Sequence, residues 1–246
     1  MNTSTSPRLY DGYTECFGAM GSGKSYLYKA LLGETDVTSG RGVFLKEVFA
    51  DGLDWRRPLR TALETAIYLL STDRTWFFNY KKYLKQGGVI LPDAQDLMEY
   101  VRAYFQHFNA DEETINKRWG FLCDACCQYS VAVRKQPQDR RLIFDEFILQ
   151  RCLSFALMLD EPADFIAGYI ERAPCPKKLI VVTVDKTTSS LRISQRKKRH
   201  SVLEQERAYF CQWLILEELK KKGVNVLQLK GDAPVGLNVQ LVKDFF

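Results

Sequence analysis

The sequence predicts a three-layer α/β fold in which helices cover both faces of a five-stranded parallel sheet. Three observations favour this fold. A glycine-rich stretch at 18–25 stands between a short apolar segment and a helical one. The branched apolar run from Leu179 to Val184 is typical of a parallel strand that is buried on both faces. Strand and helix patterns also alternate along the chain, as they do in doubly wound sheets.

The glycine-rich stretch, Gly-Ala-Met-Gly-Ser-Gly-Lys-Ser, fits the pattern G-x-x-x-x-G-K-[ST] of a phosphate-binding P-loop. Tyr13 to Phe17 reads as the preceding strand and Ser25 to Leu32 as the following helix. Glycines allow a phosphate to approach the backbone, and N–H groups at a helix N-terminus favour an anion. The predicted nucleotide-binding residues are Gly18, Ala19, Met20, Gly21, Ser22, Gly23, Lys24, Ser25 and Tyr26.

The residue types in this stretch predict ATP and Mg²⁺ as cofactors. We expect Lys24 to reach the β- and γ-phosphates and the Ser25 hydroxyl to ligate Mg²⁺. Asp145 follows the apolar strand from Arg141 to Phe144, where P-loop proteins place a carboxylate that holds the metal directly or through water. Ser25 and Asp145 are therefore the predicted metal ligands.

Composition sets broad limits on function. The 246 residues are 46% hydrophobic and 26% charged with a net charge of +5, which is ordinary for a globular protein and does not by itself indicate nucleic acid or a membrane. The beginning of the chain shows no apolar signal segment, and no apolar run is long enough to span a bilayer. Seven scattered cysteines favour a reduced, cytoplasmic protein. Cys123, Cys126 and Cys127 have helical spacing and no second pair to complete a zinc site, so we expect them to be buried.

The remaining segments are predicted in order. Val43 to Phe49 reads as a second strand after a turn-rich loop at 34–42. The region 55–137 reads as a helical insertion of about four helices that forms a pocket or lid for an acceptor. A basic lid at 186–200 precedes a long helix, a last strand at 224–229, and a final helix that Asn238 caps. Residues 1–246 are predicted to form one domain.

This order of segments resembles the thymidylate kinase and deoxynucleoside kinase group of P-loop kinases over nearly the whole chain. Residues 172–185 resemble the proline-flanked strand before the lid, 191–199 resemble the arginine-rich lid, and 223–232 resemble the last strand and the loop near the adenine. The resemblance implies a phosphotransferase that moves the γ-phosphoryl group of ATP to a small-molecule acceptor, a nucleoside or a nucleoside monophosphate.

Several charged residues are candidates for the chemistry. Arg192, Arg196 and Arg199 share one helical face, from which guanidinium groups can neutralise a phosphoryl group during transfer. Glu47 resembles the glutamate base of the Glu-Pro-Val stretch in deoxynucleoside kinases, although the proline is absent, and Glu146 is the other candidate base. The predicted catalytic residues are Lys24, Asp145, Glu146, Glu47, Arg192, Arg196 and Arg199.

The sequence also departs from the family and leaves alternatives open. The third strand is followed by Asp145-Glu146-Phe147, where these kinases have Glu-Arg or Asp-Arg, and the nearest arginine is Arg151. One alternative is a regulatory or partner-coupled ATPase that hydrolyses ATP with Asp145 and Glu146. A weaker one is a nucleic-acid-binding protein or 5′-end kinase that uses the basic run at 192–200. We expect no membrane partner, disfavour nucleic acid, and leave a homodimer open.

Overall fold

The computed structural model describes residues 9–34, 36–53, 56–70, 79–106, 108, 111–135, 140–195 and 202–246. Five parallel strands form one sheet in the order β2-β3-β1-β4-β5, which places β1 in the centre. The predicted five-stranded parallel sheet is therefore confirmed. The strands are β1 (Leu9–Phe17), β2 (Val37–Ser39), β3 (Arg141–Asp145), β4 (Cys175–Thr183) and β5 (Asn225–Lys230).

Helices cover both faces of the sheet. Two of them, α1 (Lys24–Leu31) and α11 (Val235–Phe245), enclose a core that contains Cys16, Ile143 and Ile180. The other face packs Phe17 and Phe144 against α6 (Glu112–Arg134), α7 (Ile148–Ala156), α8 (Ala163–Arg172) and α10 (Val202–Lys221). Cys16 and Phe17 enter different cores because successive residues of a strand point to opposite faces. This is the three-layer α/β fold of P-loop nucleotide-binding proteins, as predicted.

A helical block separates β2 from β3. It consists of α2 (Gly40–Gly52), α3 (Pro58–Leu70), α4 (Tyr80–Lys85), α5 (Pro92–Phe105) and then α6. The described part of the predicted insertion therefore contains four helices and no strand. The seven cysteines of the chain are free and buried, which confirms the interpretation of Cys123, Cys126 and Cys127 as core residues. No helix in the described ranges is long and apolar enough to cross a bilayer.

The second strand predicted at Val43 to Phe49 is wrong, because these residues lie in α2. The true β2 ends at Ser39, whose hydroxyl oxygen accepts a hydrogen bond from the Gly42 N–H at 3.0 Å and caps α2. Phe44 and Val48 are buried at a spacing of four residues, which suits a helix. A short apolar run does not distinguish this pattern from a buried strand.

Two C-terminal boundaries also differ from the predictions. The strand β4 begins at Cys175 rather than Leu179. The final helix begins at Val235, and Asn238 lies inside it with its side-chain amide donating to the Lys230 carbonyl at 2.8 Å. Of the predicted lid, α9 (Lys186–Ser194) is described, whereas 196–200 lie outside the described residues.

A buried carboxylate joins the central strand to the helix that follows β3. Glu15 of β1 accepts hydrogen bonds from the backbone N–H groups of Phe147 at 3.2 Å, Leu149 at 3.0 Å and Gln150 at 3.0 Å. These are orphan donors of the first turn of α7, which otherwise has no side-chain cap. Burial raises the pKa of Glu15 from 4.5 to about 7, although the three N–H donors oppose the shift.

The raised pKa of Glu15 predicts that stability falls as pH rises. The folded state keeps the Glu15 proton up to about pH 7, whereas the unfolded state loses it near 4.5, so the free energy of unfolding declines across that window. The effect is roughly 3 kcal/mol. Denaturant unfolding from pH 4.5 to 8 measures it. Glu15→Gln should flatten the decline while lowering stability by about 1–2 kcal/mol, since the Leu149 N–H would then face an amide N–H.

The matched control is Glu113→Gln, which changes an exposed glutamate at the beginning of α6. It should leave the decline between pH 4.5 and 7 as it is in the wild-type protein. If the free energy of unfolding of Glu15→Gln declined with pH as much as that of the wild-type protein, groups other than Glu15 would be the cause.

Candidate active site

The loop between β1 and α1 takes a backbone path that requires glycine. Gly21 and Gly23 have φ angles of 78° and 96°, in the left-handed region that favours glycine. At Gly18 a Cβ would lie 2.4 Å from the Val182 carbonyl oxygen of β4, so a side chain does not fit there either. The glycines of the P-loop pattern are thus explained by the local geometry.

Side chains from two later helices contact the backbone of this loop. The Ala19 N–H donates to Gln212 Oε1 of α10 at 2.7 Å, and the Ser189 hydroxyl of α9 donates to the Met20 carbonyl at 2.9 Å. Arg192, one turn after Ser189 in α9, donates to the Gly21 carbonyl at 3.3 Å and to the Gly231 carbonyl at 3.1 Å. These contacts hold the loop in place from outside its own sequence.

Arg192 therefore lies beside the phosphate loop, but its guanidinium bonds to backbone carbonyls. The role on a transferring phosphoryl group that its spacing suggests stays a prediction. The other two lid arginines, Arg196 and Arg199, lie outside the described residues. The structure thus relates one of the three predicted lid residues to the site.

The end of β3 brings a carboxylate to the beginning of α1. Asp145 pairs in register with Cys16 of the adjacent strand, so both strands end at the same edge of the sheet. The Asp145 carboxylate accepts a hydrogen bond from the Ser25 hydroxyl, and burial raises the pKa of Asp145. Lys24, the first residue of α1, is 6% exposed and places its Nζ 3.8 Å from Glu146 Oε1. The predicted residues Lys24, Ser25, Asp145 and Glu146 are thus neighbours.

Ser25 and Asp145 fit a Mg²⁺ site. One oxygen of Asp145, Oδ1, is buried and has no hydrogen-bond partner among the described residues, so its lone pairs are available to a cation. A carboxylate and a hydroxyl are oxygen ligands of the kind that Mg²⁺ prefers, with substrate phosphates and water completing its shell. Within the described ranges, no cluster of three or more His, Cys, Asp or Glu side chains offers an all-protein metal site.

Glu146 stands in an unusual backbone conformation. Its φ of 53° is in the left-handed region, which costs a residue with a side chain about 1–3 kcal/mol. Arg151 reaches back to it, donating from Nη2 to the Glu146 carbonyl and lying 4.0 Å from the carboxylate. The Glu146 side chain is 53% exposed, so its carboxylate is accessible to a ligand.

A cleft of about 630 Å³, the first cleft, opens beside Asp145 and Glu146. Its wall includes Asp124 of α6, whose carboxylate accepts from the Gln128 amide at 2.8 Å and from the Tyr80 N–H at 3.2 Å. Burial raises the pKa of Asp124, and the Arg41 charge opposes that shift. The cleft is lined by Tyr28, Arg41, Asn79, Tyr80, Lys81, Asn116, Lys117, Gly120, Phe121, Asp124, Ala125, Gln128, Asp145, Glu146, Phe147 and Arg151.

Glu47 does not belong to this cleft. It lies in α2 rather than at the end of a strand, and its Oε1 is 3.2 Å from Lys135 Nζ, near the C-terminal end of α6. The residues that do follow β2 are Gly40 and Arg41, and neither is an acid. The geometry therefore gives the predicted base role of Glu47 no support.

Two other predicted nucleotide-binding residues are Ser22 in the phosphate loop and Tyr26 in the first turn of α1. Ser22 is 1% exposed, and its hydroxyl has no hydrogen-bond partner in the part of the chain that the structure describes. The side chain of Tyr26 is exposed on α1, although its N–H bonds to the Gly23 carbonyl at 3.0 Å. Nucleotide contacts by these residues stay predictions.

Sequence reasoning did not identify several residues that contact the site from segments distant in sequence. Gln212 and Ser189 contact the loop, Glu15 caps α7, and Asp124 and Gln128 form a polar pair in the first cleft. Only the last pair had a usable signal, because two polar residues four apart interrupt an apolar stretch of α6. The other contacts join segments that are distant in sequence.

Comparison with known proteins adds little at the level of sequence. No family model matches the chain, and no curated protein matches it. Among solved structures, that of deoxyadenosine kinase from M. mycoides with bound dATP is similar over 95% of this chain and 98% of that chain, at 13% identity and a TM-score of 0.46. No residue role is carried over from a similarity of this size, so the fold rests on the sheet and loop described above.

Gly231 provides a test of the loop geometry. A Cβ at this position would lie 1.7 Å from the Ser22 carbonyl oxygen, so Gly231→Ala must displace the phosphate loop. We expect at least about tenfold weaker binding of ATP, because steric overlap of this kind costs about 1–3 kcal/mol. Titration with a fluorescent ATP analogue measures the change.

The matched control is Gly236→Ala in α11, where an added Cβ meets no atom within 4 Å. It should bind the analogue as the wild-type protein does. Equal affinities for Gly231→Ala and Gly236→Ala would mean that the loop between β5 and α11 does not determine the position of the phosphate loop.

Proposed function

We propose that this protein is an ATP-dependent phosphotransferase that transfers the γ-phosphoryl group of Mg-ATP to a small-molecule acceptor. The observation that carries the proposal is the position of Asp145 and Glu146. They stand between Lys24 and Ser25 of the phosphate loop on one side and the first cleft on the other. A phosphate donor and an acceptor can therefore meet at this pair.

Different groups bind the phosphates and the metal of Mg-ATP, the phosphoryl donor. Backbone N–H groups around Gly21 and Gly23, together with the Lys24 ammonium, bind the phosphates of ATP. Ser25 and Asp145 hold Mg²⁺, which supplies charge neutralisation when it is bound. Because the ammonium is almost fully buried, its attraction to a phosphate is screened less than it would be at the surface.

The first cleft supplies the acceptor side. Glu146 orients the attacking hydroxyl and accepts its proton, and Asp124, held by Gln128 and the Tyr80 N–H, accepts a hydrogen bond from another polar group of the acceptor. The rim carries the exposed cations Arg41, Lys81 and Lys117, which draw polar and anionic ligands toward the cleft.

A nucleoside or nucleoside monophosphate is the acceptor class that we favour. Tyr80 and Phe121 line the cleft and give an aromatic ring surfaces on which to stack. The cleft volume of about 630 Å³ is in the range of pockets for ligands of that size. The family resemblance of the chain points to the same class.

A partner-coupled ATPase is the competing function, and the exposure of Glu146 is what favours it. A carboxylate that is 53% exposed beside Lys24 can position water as well as an acceptor hydroxyl. The two functions differ in whether turnover needs an acceptor. The third reading, nucleic-acid binding through the run at 192–200, depends largely on residues outside the described ranges.

Release of ADP from Mg-ATP, with and without pooled acceptors, tests the proposed function. We expect slow basal release and at least about tenfold stimulation by a pool of nucleosides or nucleoside monophosphates. Lys24→Ala should abolish both rates. Steady release that no pool alters and that Glu146→Gln abolishes would instead establish the ATPase.

Asp124 provides a test of the acceptor side. Asp124→Asn turns an amide N–H toward one of the two groups that now donate to the carboxylate, so we expect the acceptor KM to rise about tenfold while the affinity for ATP stays unchanged. Steady-state kinetics measure both. The control is Glu113→Gln, on the exposed first turn of the same helix. An effect on ATP affinity equal to that on KM would place Asp124 outside the acceptor site.

A further inference from the structure

A second cleft, of about 530 Å³, lies between α7 and α10, with Met20 of the phosphate loop also in its wall. Glu146 and Arg151 line both clefts, so the two cavities adjoin at these side chains. A ligand whose reactive hydroxyl lies at Glu146 can therefore extend past Arg151 into the second cleft. The proposed roles of the first cleft leave this space unused.

Arg118 of α6 carries an uncompensated charge in the second cleft. Its guanidinium is partly buried, and its contact is a hydrogen bond of 3.4 Å from Nη1 to the Ser154 hydroxyl of α7. No carboxylate of the described residues lies within ion-pair distance of it. Burial lowers the pKa of this guanidinium, with no opposing contribution from a neighbouring anion. A partly desolvated cation of this kind is stabilised when an anion binds beside it.

Two neighbouring side chains also have unused hydrogen-bonding atoms. Gln150 and Arg151 both line the second cleft, and Gln150 Oε1 and Arg151 Nε are buried without a hydrogen-bond partner among the described residues. Arg151 Nε is a donor that can bind an anion, whereas Gln150 Oε1 is an acceptor and suits a donor group of the ligand. In contrast, Arg207 at the far side is already engaged, with Nη2 donating to the Leu159 carbonyl and lying 3.5 Å from Asp160. The donors of the second cleft that can bind an anion are thus the Arg118 guanidinium and Arg151 Nε.

The rest of the second cleft contains both apolar and polar side chains. Leu153 of α7, Leu157 directly after this helix, Leu203 of α10 and Met20 give apolar surface, whereas Ser154 and Glu204 are polar. Apolar surface beside a partly buried cation suits an organic anion whose carbon skeleton can contact that surface.

We propose that the second cleft binds an anionic group, a phosphate monoester or a carboxylate, that the acceptor carries at a distance from the hydroxyl that is phosphorylated. Arg118 is the main contact for this group, and the apolar walls contact the skeleton that joins it to the reactive end. This inference rests on the proposed function, since it assigns the ligand of the second cleft to the acceptor. It predicts that neutral acceptors are poor substrates.

A binding experiment tests the anion site without turnover. Inorganic phosphate is titrated by calorimetry into the ADP-saturated wild-type protein and into four variants. Phosphate held by Arg118 should be lost in Arg118→Met, partly recovered in Arg118→Lys, and retained in both Lys24→Ala and Arg102→Met. Arg102, on the exposed side of α5, is the matched control. Phosphate binding that Lys24→Ala abolishes and Arg118→Met leaves intact would overturn the assignment, because it would place the anion at the phosphate loop.

Kinetics with paired acceptors then tests the identity of the ligand. Each nucleoside or sugar is compared with its phosphate monoester and its carboxylate analogue, so that the two kinds of anion are separated. For the best anionic acceptor, Arg118→Met should raise KM about 10- to 100-fold with little change in kcat, as loss of a charge-assisted hydrogen bond predicts. Neutral partners should be insensitive to the change.

The outcomes separate this inference from the proposed function. In one outcome, neutral acceptors are phosphorylated as fast as their anionic counterparts, and Arg118→Met has no effect. That result would support the phosphotransferase function and overturn the anion site. In a second outcome, Arg118→Met loses phosphate binding, but neither neutral nor anionic acceptors are phosphorylated by the wild-type protein. That result would overturn the phosphotransferase function and with it the assignment of the anion to an acceptor.

Discussion

The hydrogen bonds between Glu15 and the first turn of α7 join the two halves of the site. Glu15 lies in β1, two residues before the strand ends at the phosphate loop, and the backbone that it holds begins at Phe147, directly after Asp145 and Glu146. One buried carboxylate therefore connects the strand that carries the phosphate loop with the segment that carries the acids. Because it is buried, its removal would leave backbone donors unsatisfied as well as remove a cap.

The parts of the site that could be predicted from the sequence are those whose geometry is local. The loop from Gly18 to Ser25 is determined by its glycine conformations and by the N-terminus of one helix. A buried parallel strand that ends in Asp145 must place this carboxylate at the edge of the sheet where β1 ends and the loop begins. The sequence accordingly predicts one site that contains Lys24, Ser25, Asp145 and Glu146. The parallel sheet followed in the same way, since alternating segments allow few other arrangements.

The failures arise where local pattern is ambiguous or contacts are remote. Val43 to Phe49 suits a strand as well as a helix, and only the cap at Ser39 and the packing of Phe44 and Val48 decide for the helix. That error placed Glu47 at a strand end, whereas the structure pairs it with Lys135. The contacts of Gln212 with Ala19 and of Arg118 with Ser154 join separate helices, and neither spacing nor composition indicates them.

The position of Glu146 connects the chemistry with the shape of the cavities. Its left-handed backbone turns the chain sharply between β3 and α7, and Arg151 holds the turn by bonding to its carbonyl. The same two residues divide the first cleft from the second. A strained residue is retained when the surrounding structure determines its conformation, and such strain is concentrated at functional sites. The strain at Glu146 thus keeps one carboxylate within reach of Lys24, of the first cleft and of the second, so a single ligand can contact all three.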